Sequence, residues 1–280
     1  MGGISAREQE EIDRANDSSR KPVVFVHGLW LLGGSWERWQ RLFEEHGFST
    51  LAPGWPDDPE TVAEAHEHPE VFAHKTIKQV TDHHAEVIGK LKMPPAIVGH
   101  SFGGLFTEIL AGMGLARVSV AISPAPFRGV LPLPLSALKA ALPAVGNPRN
   151  YGRAVPLTYE QFRFAFANAV PEDEAEELYK NFSVPGAAAP LFQAATANLN
   201  PWTEDKVDTT NPRRGPMLIL SGEKDNTVPW AVANASFKKE SKNAAVTEIK
   251  EIAGRGHSLT IDSGWREVAD LALAFIEKHG

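Results

Sequence analysis

Three residues in this chain are of the types that carry out acyl transfer together: Ser101, Asp225 and His257. A serine hydroxyl attacks only when a base takes its proton, and the base works best when a third group orients it. Ser101 stands in AIVGHSFGGLFTEIL, between Gly99 and Gly103, after a β-branched run and before a helix-like one. That is the setting of a nucleophile elbow. In such a strand-to-helix turn, the positions two before and two after the nucleophile approach too closely for a Cβ. A plain tight turn would show the same glycines, so the pentapeptide alone leaves both readings open. Asp225 follows MLIL in SGEKDNTVP, and His257 follows the next β-like run in AGRGHSL. Taken singly, Asp225 shapes a turn and His257 is a loop histidine between glycines. The order Ser, Asp, His at successive strand ends is the one this architecture requires, and strand ends are where open α/β sheets place their sites. The attacked carbonyl oxygen gains negative charge and needs two backbone N–H donors. Phe102, next to the serine, offers one. The HGLW loop offers the other, from Leu29 first and Trp30 second.

The elements that must position these residues alternate. Pro22–His27, FSTLAPG, Ala96–Val98, Val118–Ile122, Met217–Leu220 and Val246–Ile252 read as strands. SWERWQRLFEEHG, Ile77–Leu91, Phe102–Met113 and WREVADLALAFIEKH read as helices. Strands alternating with helices predict a mostly parallel sheet covered on both faces. From Pro124 to about Pro212 the chain turns rich in Pro, Ala and Phe, with helix-like pieces and no clear strand. The expected organisation is a loose segment over 1–20, a core formed by 21–123 and 213–280, and a helical cap inserted over 124–212. DPETVAEAHEHPEVF reads as an acidic surface loop or short helix.

Composition narrows the functions. The 280 residues carry a net charge of −7 and no basic run, which argues against nucleic acid and anionic membrane surfaces as partners. There is no cysteine, so thiolate chemistry, disulfides and cysteine metal sites are excluded. No apolar run reaches the roughly 18 residues of a membrane helix, and the polar start has no signal-peptide core. A cytoplasmic protein is expected. His66, His68, His74, His83 and His84 raise the question of a metal, but no HExxH pattern is present, and a solvated surface is the expectation.

VHGLW at 26–30, GHSFGG at 99–104, GEKDNTVP at 222–229 and GRGHS at 254–258 together make the sequence resemble the α/β-hydrolase fold family, over nearly all of the chain beyond residue 20. The resemblance implies a cofactor-free serine hydrolase, esterase-like, with a helical cap, that forms an acyl-enzyme on Ser101. Relatives with Asp at the elbow are excluded by Ser101, HGLW lacks the glycine run of HGGG lipases, and LAPGWPDDP departs from the D-x-x-G-x-G-x-S stretch of haloperoxidase-like esterases. HGLWLLGGSWERW is similar to the plant hydroxynitrile lyase and methyl-esterase group, whose lyases use a lysine; Lys224 is the candidate here. The implied substrate is a small hydrophobic ester or acyl compound. Trp30, Phe127, Phe162, Phe166 and Val228 are the expected pocket residues, and Arg128, Arg153 and Arg163 are further cap residues able to meet a substrate carboxylate. Lactone, amide or C–C bond hydrolysis, perhydrolysis and a non-enzymatic receptor role stand as alternatives on the same residues.

Overall fold

The computed structural model describes residues 3–280. The chain begins with helix α1 (Ala6–Asp17) and then runs β1 (Pro22–Val26), α2 (Glu37–Glu45), β2 (Ser49–Leu51), α3 (Val62–Glu67), α4 (Ile77–Gly89), β3 (Ala96–His100), α5 (Phe102–Gly112) and β4 (Val118–Ile122). Next come α6 (Leu135–Val145), β5 (Ala154–Val155), α7 (Tyr159–Ala165), α8 (Glu172–Phe182), β6 (Gly186–Ala187) and α9 (Ala189–Thr196). The chain closes with β7 (Met217–Gly222), α10 (Trp230–Glu240), β8 (Thr247–Ile252) and α11 (Trp265–His279).

Six strands form one sheet in the order β2-β1-β3-β4-β7-β8, every pair parallel. Successive side chains of a strand point to opposite faces. In β1, Val24 and Val26 therefore join the core shared with α1, α4, α5 and α10. Val23 and Phe25 join the core shared with α2 and α11, where Phe25 packs on Trp36, Trp39 and Phe43. Burial on both faces is why β1, β3, β4 and β7 are short, mostly apolar runs, whereas the edge strand β8, TEIKEI, is charged and largely exposed. The chain leaves β1 toward β2 on one side and returns to β3 on the other. That reversal opens a crevice at the carboxyl ends of β1 and β3, the place where such sheets bind ligands. No helix among the described residues is long and apolar enough to cross a membrane.

Three expectations need correction. Within the expected loose segment 1–20, residues 6–17 form a packed helix: α1 starts with a capping box, Ser5 against Glu8, and buries Ile12 and Ala15. Glu11 accepts the Ala52 backbone N–H, which ties α1 to the end of β2. Met1 and Gly2 lie outside the described residues. The 124–212 stretch holds a two-stranded antiparallel pair, β5 with β6, as well as its helices. His83 and His84 are buried rather than solvated, and His83 Nε2 bonds Glu8 at 2.8 Å, holding α1 against α4. Burial, with His83 alongside, pushes the His84 imidazole down to about 3.

Candidate active site

The β3–α5 joint turns on Ser101, whose φ of 59° and ψ of −120° lie outside helix and strand geometry. A Cβ at Gly99 would overlap the Gly103 carbonyl, and one at Gly103 would overlap that of Val26, so the joint closes only with glycine at both positions. Ser101 is thereby held at the N-terminus of α5, where free N–H groups and the helix dipole favour negative charge. Its backbone is fixed on either side: its N–H donates to Ile122 O at 2.9 Å, and its carbonyl accepts from Ala125 at 3.0 Å.

The structure brings the three sequence-selected residues into one hydrogen-bonded line. Ser101 Oγ lies 2.9 Å from His257 Nε2, and His257 Nδ1 lies 2.7 Å from Asp225 Oδ2. The second carboxylate oxygen of Asp225 accepts the N–H groups of Thr227 and Val228, each at 2.8 Å. With Nδ1 donating to a carboxylate that cannot turn, Nε2 is left as the acceptor for the serine hydroxyl. All three residues are buried, His257 completely.

The HGLW loop lies directly against the elbow. A Cβ on Gly28 would stand 2.8 Å from Ser101 Cβ, so the Gly28–Leu29 peptide borders the nucleophile. Among the described residues, the Leu29, Trp30 and Phe102 N–H groups donate to no protein acceptor. Trp30 has a positive φ of 65°. Its Nε1 donates to Val155 O at 2.8 Å, and its carbonyl accepts the Val184 N–H at 3.1 Å, so it joins this loop to the segment between β4 and β7.

A sequence model described as the alpha/beta hydrolase family matches residues 23–271. The chain belongs to the alpha/beta hydrolase family. Solved structures of the same fold include the monoacylglycerol lipase of Paleococcus ferrophilus (19% identity, TM-score 0.63, 92% of this chain and 95% of that one). An extracellular alpha/beta-hydrolase of a Paenibacillus species gives 17% identity and a TM-score of 0.65, over 91% of this chain and 98% of that one. A pyrethroid hydrolase of Sphingobium faniae gives 16% and 0.62, over 92% and 98%. Identities this low establish a shared fold only. The curated proteins contain no match.

In this alpha/beta hydrolase an apolar cavity of about 180 Å³ opens on Ser101. Trp30, Phe102, Phe127 and Val228 line it, with the α6 residues Leu138 and Ala141. Phe162 and Phe166 do not. Their rings stack on each other at 5.1 Å, and Phe166 presents its edge to His257 at 5.0 Å, so the pair buttresses the histidine. Their one-turn spacing put them on one helix face but could not say what that face meets. Three lining residues are polar: Ser101, Asn198 and Thr227. Asn198 spends its amide on Gly129 N–H and Val130 O, and the Thr227 hydroxyl donates to Ala165 O. Lys224, Arg128 and Arg153 are exposed and off the cavity wall; Arg163 is off it too and pairs with Glu172.

Two buried groups beside the site have no counterpart in the sequence reading. His100 packs its ring on His257 at 4.6 Å and is almost fully buried; burial, then the neighbouring His257, holds it well below the usual imidazole range. His27 lies 3.2 Å from the Asp58 carboxylate, which also receives the Lys75 ammonium at 2.5 Å. The only signal for His27 was its place in VHGLW. Asp58 and Lys75 carried none.

Proposed function

We propose that this chain is a serine hydrolase that cleaves a carboxylic ester, or a related acyl bond, of a small to mid-sized hydrophobic substrate through an acyl-enzyme on Ser101. The observation that carries this reading is the Ser101–His257–Asp225 line, 2.9 and 2.7 Å, at the floor of an apolar cavity. As Oγ bonds the carbonyl carbon, its proton passes to His257 Nε2, and Asp225 stabilises the imidazolium. The new oxyanion lies against the N–H groups of Leu29 and Phe102; Leu29 is favoured over Trp30 because the Gly28–Leu29 peptide borders Ser101. Each such donor is worth about 3–4 kcal/mol. Collapse breaks the bond to the leaving alcohol, which takes the proton from His257. Water then gives a proton to His257 and attacks the acyl carbon. When the second intermediate collapses, Oγ leaves and regains its proton, and the acid is released. No step in this scheme needs a cofactor.

Residues 124–212 act as the cap over this site. Apart from Ser101, the polar side chains on the cavity wall, Asn198 and Thr227, are already bonded within the protein. The wall therefore offers dispersion and shape, which supports an uncharged apolar acyl or alcohol group. Exposed Leu131 and Leu133 continue that apolar track outward from the cavity. Lys224 lies off the wall, which removes the residue a cyanide-handling lyase would need. The same trio also serves lactone, amide or C–C hydrolysis and perhydrolysis, and a substrate panel separates these.

The test is a series of p-nitrophenyl esters of increasing acyl length, run with wild type and Ser101→Ala. A drop of about 10⁴-fold or more in the variant is expected, with a length optimum set by the cavity. Undiminished hydrolysis by Ser101→Ala would sink the mechanism. No wild-type turnover of any ester would point to a narrow non-ester substrate or a ligand receptor.

A further inference from the structure

His27, Asp58 and Lys75 form a buried polar trio directly behind the HGLW loop. The Asp58 and Lys75 side chains are 4% and 6% exposed, and His27 is 2% exposed. The Asp58 carboxylate is saturated on one side: Oδ1 takes the Lys75 ammonium at 2.5 Å, while Oδ2 takes the Trp55 N–H at 3.0 Å and faces His27 Nε2 at 3.2 Å. Burial alone would push this carboxyl up, but His27 and Lys75 outweigh it and hold it below the usual range. The His27 ring is also clamped from its face by Trp55, stacked at 5.6 Å, whose Nε1 donates to His27 O. So fixed, the ring directs Nδ1 at the Gly28 carbonyl oxygen, 2.9 Å away. That oxygen only accepts, and so does Asp58 Oδ2, which Nε2 meets as an ion-pair contact rather than a hydrogen bond, so the geometry calls for a proton on both ring nitrogens, with Nδ1 donating to Gly28.

The Gly28 carbonyl belongs to the same peptide unit as the Leu29 N–H. A carbonyl that accepts a hydrogen bond draws electron density from its amide, and the N–H at the far end becomes the stronger donor. The bond also fixes the peptide plane, and with it the direction of the N–H. Stability alone is a weak reason to keep such a trio, because buried ion pairs are often no better than apolar packing of the same volume.

We propose that Lys75, Asp58 and His27 are positioning residues that aim and polarise the Gly28–Leu29 peptide, making its N–H a competent donor to the oxyanion formed at Ser101. The relay touches no substrate atom. It acts through a peptide that binds the transition state more strongly than the ester, so its loss lowers kcat and leaves KM in place. This inference rests on the serine-hydrolase reading above.

The experiment compares wild type with Asp58→Asn on a soluble short-chain p-nitrophenyl ester and on a trifluoromethyl ketone, which adds Ser101 Oγ to its carbonyl and places a real oxyanion in the donor pair. Asp58→Asn keeps an acceptor for Trp55 but loses the charge that orients His27 and answers Lys75. The expected result is a fall in kcat of about tenfold, short of the 10²–10³-fold cost of deleting a donor. KM should stay unchanged, and ketone affinity should fall by the same factor as kcat. A folded variant with unaltered kcat, or one whose loss lies in KM while ketone affinity holds, would overturn the relay. Should the variant not fold, ¹⁵N-histidine NMR of wild type at neutral pH decides: a proton on His27 Nδ1 is expected, and a bare Nδ1 contradicts the proposal. Ser101→Ala is run in parallel. If it retains activity, the serine-hydrolase reading itself falls. If it is inactive while Asp58→Asn is unchanged, only the relay falls.

Discussion

At the carboxyl edge of the sheet, where the strands end, Ser101, His257 and Asp225 take their positions from hydrogen bonds to one another and to the Thr227 and Val228 N–H groups after β7. In the 124–212 segment above them, the cavity wall is leucine, alanine, valine, proline and phenylalanine, and its one polar side chain, Asn198, is bonded to Gly129 and Val130. The two regions divide the labour. The edge presents one reactive geometry whatever the substrate, while the segment above presents a shape with no charge to recognise. Changes at the edge should therefore depress kcat for all substrates alike, and changes in the wall should reorder substrates.

The largest effect expected is that of Asp225→Asn. It preserves the shape but removes the acceptor that sets the His257 tautomer, and should lower kcat about 10⁴-fold. Steady-state kinetics across the ester series should show the same factor at every chain length; a factor that varied with length would break the division. Next in size is Ala141→Phe, which fills part of the cavity. For the longest acyl chain turned over by wild type, kcat/KM should fall about tenfold or more, with the shortest ester untouched. A uniform loss would mean that the wall also orients Ser101. The smallest effect lies away from both regions, at Glu8. Burial would raise its carboxyl, but His83 and Ser5 bring it to about 2 from an ordinary 4.5. A carboxyl lowered on folding adds stability above its unfolded value, and that stability is lost as pH falls from about 4.5 to about 2. Glu8→Gln should lower the melting temperature at neutral pH and flatten its fall in that acid window, leaving kcat as in wild type. Parallel melting profiles for the two proteins would contradict this.

How far the sequence was legible follows from the range of the interactions. Strands such as Val118–Ile122 are written in small and β-branched residues because both of their faces are buried, and the fold class follows from their alternation with helices. The three residues of the candidate site stand at strand ends in local motifs, so their meeting was foreseeable. Partners far apart in the chain were not. Helix α1 is polar in composition and docks through Glu8 to His83, across 75 positions. Asp58 and Lys75 meet across 17, with no motif around either. Phe162 and Phe166 share a face at helical spacing, but only the approach of His257 decides that this face supports the base rather than the cavity. The β5–β6 pair has two residues in each strand, too few for any periodicity to show.

The central claim is the covalent step on Ser101. Mixing wild-type protein with excess p-nitrophenyl ester, quenching in acid within the first turnover and measuring the intact mass tests it directly. The account predicts an added mass equal to the acyl group, mapped by peptide digestion to the segment containing Ser101 and absent from Ser101→Ala. Ester turnover with no adduct in rapid-quench samples, or an adduct on another residue, would contradict it.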